Sequence, residues 1–404
     1  MSSLSSIFIF TAGFPCDFKS EPFLLSELPF ISKTFSSVYF IPQKGNSVVY
    51  DLPDNCKVIF PSIEHLPISL GIYFVALKCL LSDLPALIKK RIFLKTGRYN
   101  FSLVLSSFNK AKYYNSIIKK ADQGNLKYVY SYWSNDLATI CALVKKNEPS
   151  VIAFSRAHGF DVFEEQTRFG FIPFRKLQLN YLDRMFSVSE MGQKHLQELN
   201  KNFSNKIKLA YLGTSDHGIS EFKKNEFVIV SCAYLRKLKG VESIPDVLMK
   251  VRSDVTWIHI GGGELLDEIT TKCKSLPSNI KYQLLGNLSP EEITDFYKKT
   301  NISLFLSLSE REGLPVTLME AISFGIPIAA TDVGGCKEIA NENTGFLISK
   351  NFSADSLAKK IDEFFISSQN TEEFRAKVKD FWKQNFNANK NYKDFYDQIV
   401  EFKN

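Results

Sequence analysis

The chain has 404 residues, which exceeds one ordinary domain and predicts two domains of about 200 residues each. Its apolar content of 45% suffices for two cores, and seven scattered cysteines without a C-x-x-C pair indicate reduced thiols, excluding a disulfide framework or a zinc site. No window reaches the roughly 18–20 uncharged apolar residues of a membrane span. The net charge of +7 lies entirely in residues 1–200, and residues 201–404 are neutral.

The first half of the chain alternates short apolar strands with helices. The predicted strands are Ile7–Phe10, Ser37–Ile41, Lys57–Phe60, Tyr128–Tyr132, Val151–Phe154 and Arg184–Val188, with helices such as Phe23–Phe35 and Ala138–Lys146 between them. The first apolar run is too short for the core of a signal peptide and has no basic residues before it, so we expect a strand there. The alternation predicts an α/β fold with a parallel sheet covered on both faces, and ligands at the carboxyl ends of its strands.

An apolar segment followed by a basic one interrupts this pattern. Leu66–Ser82 carries a single charge, and Leu84–Ala121 carries nine basic residues and no acidic one. We favour a peripheral contact of Leu66–Ala121 with an anionic membrane surface, because apolar side chains beside cations suit a membrane interface. The alternative is a buried helix followed by a solvated surface. Nucleic acid is disfavoured because no binding motif accompanies the charge.

A histidine follows the predicted strand Val151–Phe154 in the pattern A-H-G-x-D. A lone histidine is more often structural than chemical. The position of His158 after a strand, with Gly159 giving the backbone room and Asp161 three residues on, favours a functional site. A neutral imidazole there could donate or accept a hydrogen bond near pH 7.

Residues 211–226 are rich in Gly, Ser and charge, and we interpret them as a linker. The strands predicted after it are Phe227–Ser231, Thr256–Ile260, Tyr282–Leu285, Ile302–Leu306 and Ile326–Ala330. Lys239 begins a helix after the first of these strands, where it could hold an anion or simply be solvated. Gly262 lies in a glycine turn that could admit a ligand close to the backbone or merely be tight. The chain closes with two amphipathic helical segments.

The segment Ser307–Ile339 carries the most specific pattern in the sequence. Glu312 lies in the loop before the helix Val316–Phe324, and Glu320 lies in the second turn of that helix. At this spacing both carboxylates could face one ligand, although two glutamates could equally cap and solvate a helix. The backbone amides of Gly313, Leu314, Val316 and Thr317 lie at the positive end of the helix dipole and would suit a phosphate. Carboxylates for hydroxyl groups beside amides for phosphate are what a nucleotide-sugar site requires.

This E-x7-E pattern, with the following AISFGIPIAATDVGG, resembles the donor site of the retaining glycosyltransferases of family 4. The resemblance implies the GT-B fold, in which two Rossmann-like domains face each other across a cleft. It implies an acceptor domain over residues 1–210, the linker 211–226, a donor domain over residues 227–384, and a final helix, residues 385–404, packing on the first domain. The segments Lys127–Ala138 and Ser187–Leu196 also resemble bacterial members that build exopolysaccharide, capsule or O-antigen.

The resemblance implies a role for each matching residue. His158 and Glu312 would be catalytic, Lys239 would hold the donor diphosphate, and Glu320 would bind the ribose. The other implied donor-binding residues are Arg236, Gly262, Gly313, Leu314, Val316 and Thr317, and those of the acceptor loops are Gly13, Glu21 and Asp161. Two departures affect the donor site. Pro315, which has no N–H, replaces the usual glycine, and Tyr234 replaces the usual arginine, leaving Arg236 as its nearest substitute.

The implied function is metal-independent and cofactor-free transfer of a sugar, of the hexosyltransferase type, with retained configuration. The partners would be a nucleoside-diphosphate-sugar donor and a glycan acceptor carried by a polyprenyl diphosphate, at the cytoplasmic face of a bacterial membrane. Two alternatives are a nucleotide-sugar epimerase of GT-B fold, which does not carry the E-x7-E segment, and a non-catalytic scaffold of a polysaccharide assembly complex. The donor base, the sugar and the acceptor linkage are not specified by these patterns.

Overall fold

Two parallel sheets organise the chain into two units. The computed structural model describes residues 5–18, 20–61, 70–121, 126–167 and 169–401. The first unit comprises Met1–Ala210 and Lys393–Asn404, and the second comprises Tyr211–Tyr392. The segment 211–226, predicted as a linker, therefore belongs to the second unit.

The first unit contains a seven-stranded sheet whose strands all run parallel. The strands are β1 (Ser5–Thr11), β2 (Ser37–Pro42), β3 (Cys56–Val58), β4 (Leu126–Ser131), β5 (Ile152–Ala157), β6 (Arg184–Ser187) and β7 (Ile207–Leu209). Their spatial order is β3-β2-β1-β4-β5-β6-β7. The direction of winding reverses between β1 and β4, so the loops after these strands meet at the place where such sheets bind ligands.

Helices cover this sheet on both faces. They are α1 (Leu24–Thr34), α2 (Leu70–Lys89), α3 (Phe93–Ala121), α4 (Asp136–Asn147), α5 (Arg175–Tyr181) and α6 (Glu190–Leu199). Helix α3 buries Val104, Phe108, Ala111, Tyr114 and Ile118, whose spacing of three or four residues places them on one helix face. No helix among the described residues is long and apolar enough to cross a bilayer.

The second unit has a six-stranded parallel sheet in the order β10-β9-β8-β11-β12-β13. Its strands are β8 (Val228–Cys232), β9 (Val255–Ile260), β10 (Ile280–Leu284), β11 (Leu304–Ser307), β12 (Ile328–Thr331) and β13 (Gly345–Ile348). The helices are α7 (Ile244–Leu248), α8 (Leu266–Cys273), α9 (Pro290–Lys299), α10 (Val316–Ser323), α11 (Cys336–Ile339), α12 (Ala354–Ile366) and α13 (Glu372–Asn385). Here the winding reverses between β8 and β11.

The last helix, α14 (Ala388–Val400), supplies its residues from Lys393 onward to the first unit. Phe395, Tyr396 and Ile399 are almost fully buried there, in the core on one face of the sheet. The Tyr396 hydroxyl donates to Glu27 at 2.5 Å, and Glu27 pairs with Arg156 at 3.1 Å. These groups are buried, so the charged pair is neutralised and hydrogen-bonded inside the core.

Candidate functional site

The loops after β8 and β11 bring two of the predicted site residues into contact. The Lys239 ammonium donates to Glu312 Oε1 at 2.7 Å, and the two side chains are 36% and 12% exposed. Lys239 ends a 3-10 turn, Lys237–Lys239, in the loop after β8, and Glu312 lies in the loop after β11. Because β8 and β11 flank the reversal of the sheet, this ion pair lies where open parallel sheets bind ligands.

Glycines hold these two loops at close range. Gly240 has φ +62°, and a Cβ there would lie 2.1 Å from the Leu308 carbonyl oxygen. Gly334 has φ +54°, and its Cβ would lie 1.9 Å from the Glu312 carbonyl oxygen. Both positions therefore require glycine for conformation and for space.

The loop before α10 offers unused backbone donors. Among the described residues, the amides of Gly313, Leu314, Val316 and Thr317 make no hydrogen bond, whereas the Gly313 carbonyl accepts from the Gly335 amide at 2.7 Å. Pro315 occupies the N-cap position of α10 and contributes no donor. Four amides at the start of a helix, beside an ammonium group, form an environment that suits an anion.

Glu320 lies in α10, near the end of β8. Its side chain is half-buried, and burial raises the pKa of its carboxyl group to about 7. Burial, and secondarily the charge of Glu320, raise the pKa of the neighbouring Cys232 thiol to about 12. The Glu320 carboxyl therefore changes its charge close to neutral pH, while the thiol stays protonated.

Two predicted donor-site groups have partners in the structure. The exposed Arg236 guanidinium lies over the ring of Tyr234, 5.1 Å from its centroid. The Gly262 amide donates to Asn287 Oδ1 at 2.8 Å, and Gly261 and Gly263 have no room for a Cβ beside the backbone of Ala233 and Leu235. The glycines of this turn thus allow its backbone to pack closely on the backbone of Ala233 and Leu235. Asn287, which binds the Gly262 amide, belongs to no sequence pattern that would identify it in advance.

In the first unit, Glu21 organises the loop after β1. It is 3% exposed and accepts from the amides of Ala12 at 2.6 Å, Gly13 at 3.0 Å and Phe14 at 2.9 Å. Its Oε1 also accepts from the Trp133 indole at 2.6 Å, which joins the loop after β1 to the loop after β4. Glu21 therefore fixes the loop that contains Gly13.

His158 follows β5 and lies among aromatic rings. Its ring centroid is 4.5 Å from that of Trp133 and 4.9 Å from that of Tyr132. Neither ring nitrogen makes a hydrogen bond within the described part of the chain, although Nδ1 lies 3.9 Å from Asp161 Oδ2. Both imidazole nitrogens are thus buried, and their hydrogen-bonding capacity is unused within the described residues.

Asp161 is 1% exposed, and its carboxylate accepts from the amides of Ser134, His158 and Gly159 at 2.7–2.9 Å. Although burial opposes ionisation, these bonds and the interaction with the His158 side chain hold the pKa of Asp161 below its ordinary value. Its oxygens are occupied by the turn that presents His158, so Asp161 positions that turn, and its predicted place in the acceptor loops stays a prediction.

The predicted membrane-contacting stretch Leu66–Ala121 is described from Leu70 onward, and residues 66–69 lie outside the described residues. Helix α2 exposes Phe74, Leu77, Leu81 and Ile88, which are 47–70% exposed and lie on one helix face. Three of the nine basic residues bind within the protein. Lys90 pairs with Glu164, Lys119 pairs with Glu148, and Lys110 donates to Gln43. The exposed others are Lys89, Arg91, Lys95, Arg98, Lys112 and Lys120.

Within the residues that the structure describes, no three His, Cys, Asp or Glu side chains are grouped so as to hold a metal ion. The described cysteines, Cys16, Cys56, Cys141, Cys232, Cys273 and Cys336, are free thiols.

Solved structures with the same architecture define the fold class. Anabaena HepE, crystallised in complex with UDP, has a TM-score of 0.65 and 14% identity over 98% of this chain and 100% of its own. The lipopolysaccharide outer core galactosyltransferase WaaB has a TM-score of 0.68 and 13% identity over 99% of this chain and 100% of its own. At these identities the likeness concerns the fold alone, and it confirms the predicted two-domain α/β GT-B fold.

Sequence comparison finds a family match that lies within the second unit. Residues 214–381 match the family model described as Glycosyl transferases group 1. The O-antigen biosynthesis glycosyltransferase WbnH of Escherichia coli is 29% identical over 151 residues, which are 37% of this chain and 41% of WbnH. The chain thus aligns with less than half the length of this curated relative. The second unit carries the sequence pattern of group 1 glycosyl transferases.

Proposed function

We propose that the protein is a retaining glycosyltransferase that moves a sugar from a nucleoside-diphosphate sugar to a hydroxyl of a glycan acceptor in surface polysaccharide biosynthesis. The observation that most supports this proposal is the Lys239–Glu312 ion pair, which lies beside the unused amides of Gly313, Leu314, Val316 and Thr317. It offers donors to a diphosphate and a carboxylate to a sugar. The family match over this segment and the similarity to WbnH, an O-antigen biosynthesis glycosyltransferase, point the same way.

In this proposal the second unit stabilises the leaving group. The bond between the anomeric carbon and the diphosphate oxygen breaks, and negative charge develops on the diphosphate. The Lys239 ammonium and the four amides would stabilise this charge where it appears, so no metal ion is needed. Glu320 would accept hydrogen bonds from the ribose hydroxyls, and Glu312 would lie by the anomeric carbon, where positive charge develops.

The first unit would position the sugar and the acceptor. The His158 imidazole, whose two nitrogens make no hydrogen bond with the described residues, would hydrogen-bond the donor sugar. The acceptor oxygen forms the new bond to the anomeric carbon on the face from which the diphosphate leaves. Its proton passes to an oxygen of the departing phosphate, and the anomeric configuration is retained.

Calorimetric titration with UDP, GDP and ADP in the presence of a metal chelator tests the donor half. We expect saturable binding of one nucleotide, and UDP first, because HepE was crystallised with UDP. Lys239→Ala should weaken binding about tenfold or more, the cost of one charge-assisted contact. Lys272→Ala removes a lysine from a similar ion pair with Asp246, also 2.7 Å long, and should leave nucleotide affinity unchanged.

Absence of binding by all three nucleotides would overturn the proposal and favour a scaffold. If one nucleotide binds, incubation of the protein and membranes with the nucleotide sugars that carry this nucleotide identifies the reaction. Transfer with the anomeric configuration of the donor, read by NMR of the product, supports the proposal, and release of an epimerised nucleotide sugar contradicts it.

We further propose that the apolar face of α2 (Phe74, Leu77, Leu81 and Ile88) contacts an anionic membrane. The cations Lys89, Arg91, Lys95 and Arg98 continue from this face into the start of α3, and all four are exposed. Apolar side chains at the headgroup boundary and cations on anionic lipids, worth about 1 kcal/mol each, would act together. Such a contact would bring a lipid-linked acceptor to the first unit.

Sedimentation with phosphatidylglycerol vesicles tests this contact. Phe74→Ser/Leu81→Ser and Lys95→Glu/Arg98→Glu should each reduce the bound fraction, and the bound fraction of the wild type should fall with added salt. Ile366→Ser, at an 86% exposed apolar residue of the second unit, is the matched control and should bind as the wild type does. A wild type that stays in the supernatant, or self-associates through this face, would refute the membrane contact.

A further inference from the structure

A cavity of about 310 Å³ lies in the first unit, and all of its lining residues belong to that unit. It is bounded by α3, by the start of α4 and by the segment after β5. This volume is at the lower end of the range of small-molecule sites, about 300–1,000 Å³. It therefore suits one sugar residue better than an extended glycan.

Aromatic side chains form much of the cavity wall. Tyr99 of α3 is 53% exposed, and its ring centroid lies 5.7 Å from that of Phe169. Phe160 on another side is 43% exposed. Exposed aromatic faces around a concave site attract the C–H faces of a pyranose ring, because these faces are apolar while the hydroxyls point outward.

Two polar groups at the start of α4 lie in the same wall. The Asp136 carboxylate makes no hydrogen bond or ion pair with the described residues, and the same holds for the Asn135 Nδ2 group. Asn135 Oδ1 already caps the helix by accepting from the Leu137 amide at 3.0 Å. The cavity thus offers one unused acceptor carboxylate beside one unused donor amide, which matches neighbouring sugar hydroxyls.

The chemistry of the described lining residues disfavours phosphate and a hydrocarbon chain. No lysine or arginine lines the cavity among its described residues, and Asp136 adds a negative charge. The amide donor of Leu137 at the helix start is already occupied, so an anion gains little there. An alkyl chain would bury the Asp136 carboxylate without a partner.

The cavity wall is held in place by α2. The Asp83 carboxylate accepts from the Phe174 amide at 2.8 Å, and Lys90 donates to the Gly170 carbonyl at 2.7 Å while pairing with Glu164. The cavity also adjoins the predicted catalytic histidine. Phe160 contacts Trp133 at 5.1 Å between ring centroids, and Trp133 contacts His158 at 4.5 Å.

We propose that this cavity binds a sugar residue of the acceptor glycan, with the ring stacked on Tyr99 or Phe169 and its hydroxyls on Asp136 and Asn135. That the sugar belongs to an acceptor rests on the proposed glycosyltransferase function. Binding of the sugar in the cavity does not require turnover. Because His158 does not line the cavity, the bound sugar is an acceptor unit next to the reacting centre and is distinct from the donor sugar.

Saturation-transfer NMR with the methyl glycosides of glucose, galactose and N-acetylglucosamine tests the cavity on the full chain. We expect at least one glycoside to bind, and Tyr99→Ala and Asp136→Asn to weaken its binding about tenfold, as loss of a stacking or charged hydrogen-bond partner should. Tyr99→Phe retains the ring and should retain binding. Asp355→Asn changes a first-turn aspartate of α12 and should bind as the wild type does.

Trp133 reports the location of the bound sugar. Trp257 and Trp382 are fully buried in the second unit, so a change of tryptophan fluorescence on adding glycoside that is lost in Trp133→Phe comes from Trp133, and its loss in Tyr99→Ala as well places the sugar in the cavity. Binding of none of the three glycosides, unchanged binding by Asp136→Asn and Tyr99→Ala, or displacement of glycoside by inorganic pyrophosphate would overturn the inference.

Calorimetry with UDP on the same variants separates this inference from the proposed function. Tyr99→Ala and Asp136→Asn should bind UDP as the wild type does. A wild type that binds glycoside but no nucleotide would refute the donor proposal, and one that binds nucleotide but no glycoside would refute the cavity assignment.

Discussion

The ion pair between Lys239 and Glu312 links two roles that the sequence assigns separately, one to the diphosphate and one to the sugar. In the structure Glu312 accepts from the ammonium that would hold the diphosphate. The carboxylate therefore orients Lys239 and also places a negative charge beside the phosphate position. This dual position leads to a variant that should separate binding from turnover.

Glu312→Gln should leave UDP affinity unchanged or raise it, because a neutral side chain removes repulsion of the diphosphate. Turnover should fall by about a hundredfold or more, since the carboxylate by the anomeric carbon is lost. Calorimetry and initial rates measure the two effects. Asp246→Asn, which breaks the ion pair with Lys272 in the same unit, should change neither. A large loss of UDP affinity in Glu312→Gln would instead make Glu312 a nucleotide-binding residue.

Glu320 gives a second prediction, in which the pH dependence has a definite sign. Burial raises its pKa from 4.5 to about 7, and its ionised form accepts best from the ribose hydroxyls. UDP affinity should therefore fall as the pH decreases from 8 to 6. Glu320→Gln should bind UDP about tenfold or more weakly at pH 8. Titration of this variant over the same pH range corrects for ionisation of the UDP phosphate itself.

The same raised pKa affects stability. The folded carboxyl binds its proton more tightly than the unfolded one, so its contribution to stability is present at low pH and is lost as the pH rises through about 7. Glu320→Gln should thus melt a few degrees above the wild type at pH 8, with a smaller difference at pH 5. Equal melting temperatures at pH 8 would show that burial does not raise the pKa of Glu320 in the folded protein.

At the scale of elements, the loop after β1 depends on one carboxylate. Glu21→Gln keeps the shape but replaces an acceptor oxygen by a donor, so two of the four donors that Glu21 binds lose their acceptor. We expect a loss of about 2 kcal/mol, or about 4–8 °C in Tm. Thermal unfolding measures it, and Glu165→Gln at an exposed position is the control. A Tm within one degree of the wild type, about the size of a surface substitution, would contradict this role.

Most strands were predictable from the sequence because continuous apolar runs bounded by turn residues mark buried parallel strands. The 29-residue helix α3 is not predicted, although Val104, Phe108, Ala111 and Tyr114 carry a helical period. The signal that dominates this segment is its charge. The charge pattern suggests that these cations are free for a membrane surface. Lys90 instead binds Gly170 and Glu164 in the segment after β5, which are distant from it in the sequence.

Sequence patterns can identify those site residues that belong to one local motif. Glu312 and Glu320 are identified by their fixed spacing within one segment, and Lys239 is identified by its place in the turn after β8. Asn287, which occupies the Gly262 amide, and Asp136, which lines the cavity, belong to no motif. Their roles depend on which loops the sheet order brings together, and a single sequence does not report that order.

At the scale of the whole molecule, the first unit is completed by the end of the chain. Phe395 lies against Tyr130, Phe154 and Phe186, with ring centroids 5.0–6.1 Å apart, and its ring faces the Arg156 guanidinium at 4.3 Å. The two-domain fold could be expected from sequence length and alternation. The division of α14 at Lys393 could not, because the helix shows one continuous amphipathic pattern.

Removal of residues 393–404 should therefore destabilise the first unit specifically. Loss of a buried phenylalanine alone costs about 3–5 kcal/mol, and the deletion also removes the Tyr396 donor from the buried Glu27. Hydrogen exchange should accelerate in β4 and β5, with the second unit's β8 and β11 as internal controls. Phe395→Ala should show the same pattern in smaller degree. Unchanged exchange in β4 and β5 would show that these residues are dispensable for the unit.

The position of Phe395 and Tyr396 also has a consequence for synthesis. The ribosome makes the seven strands of the first sheet before the second unit, but the residues that close the first core are translated after the second unit. The second unit has its strands and core residues in one continuous segment and can fold while still attached to the ribosome. The N-terminal unit, although made first, therefore cannot complete its core until the whole second unit has been synthesised.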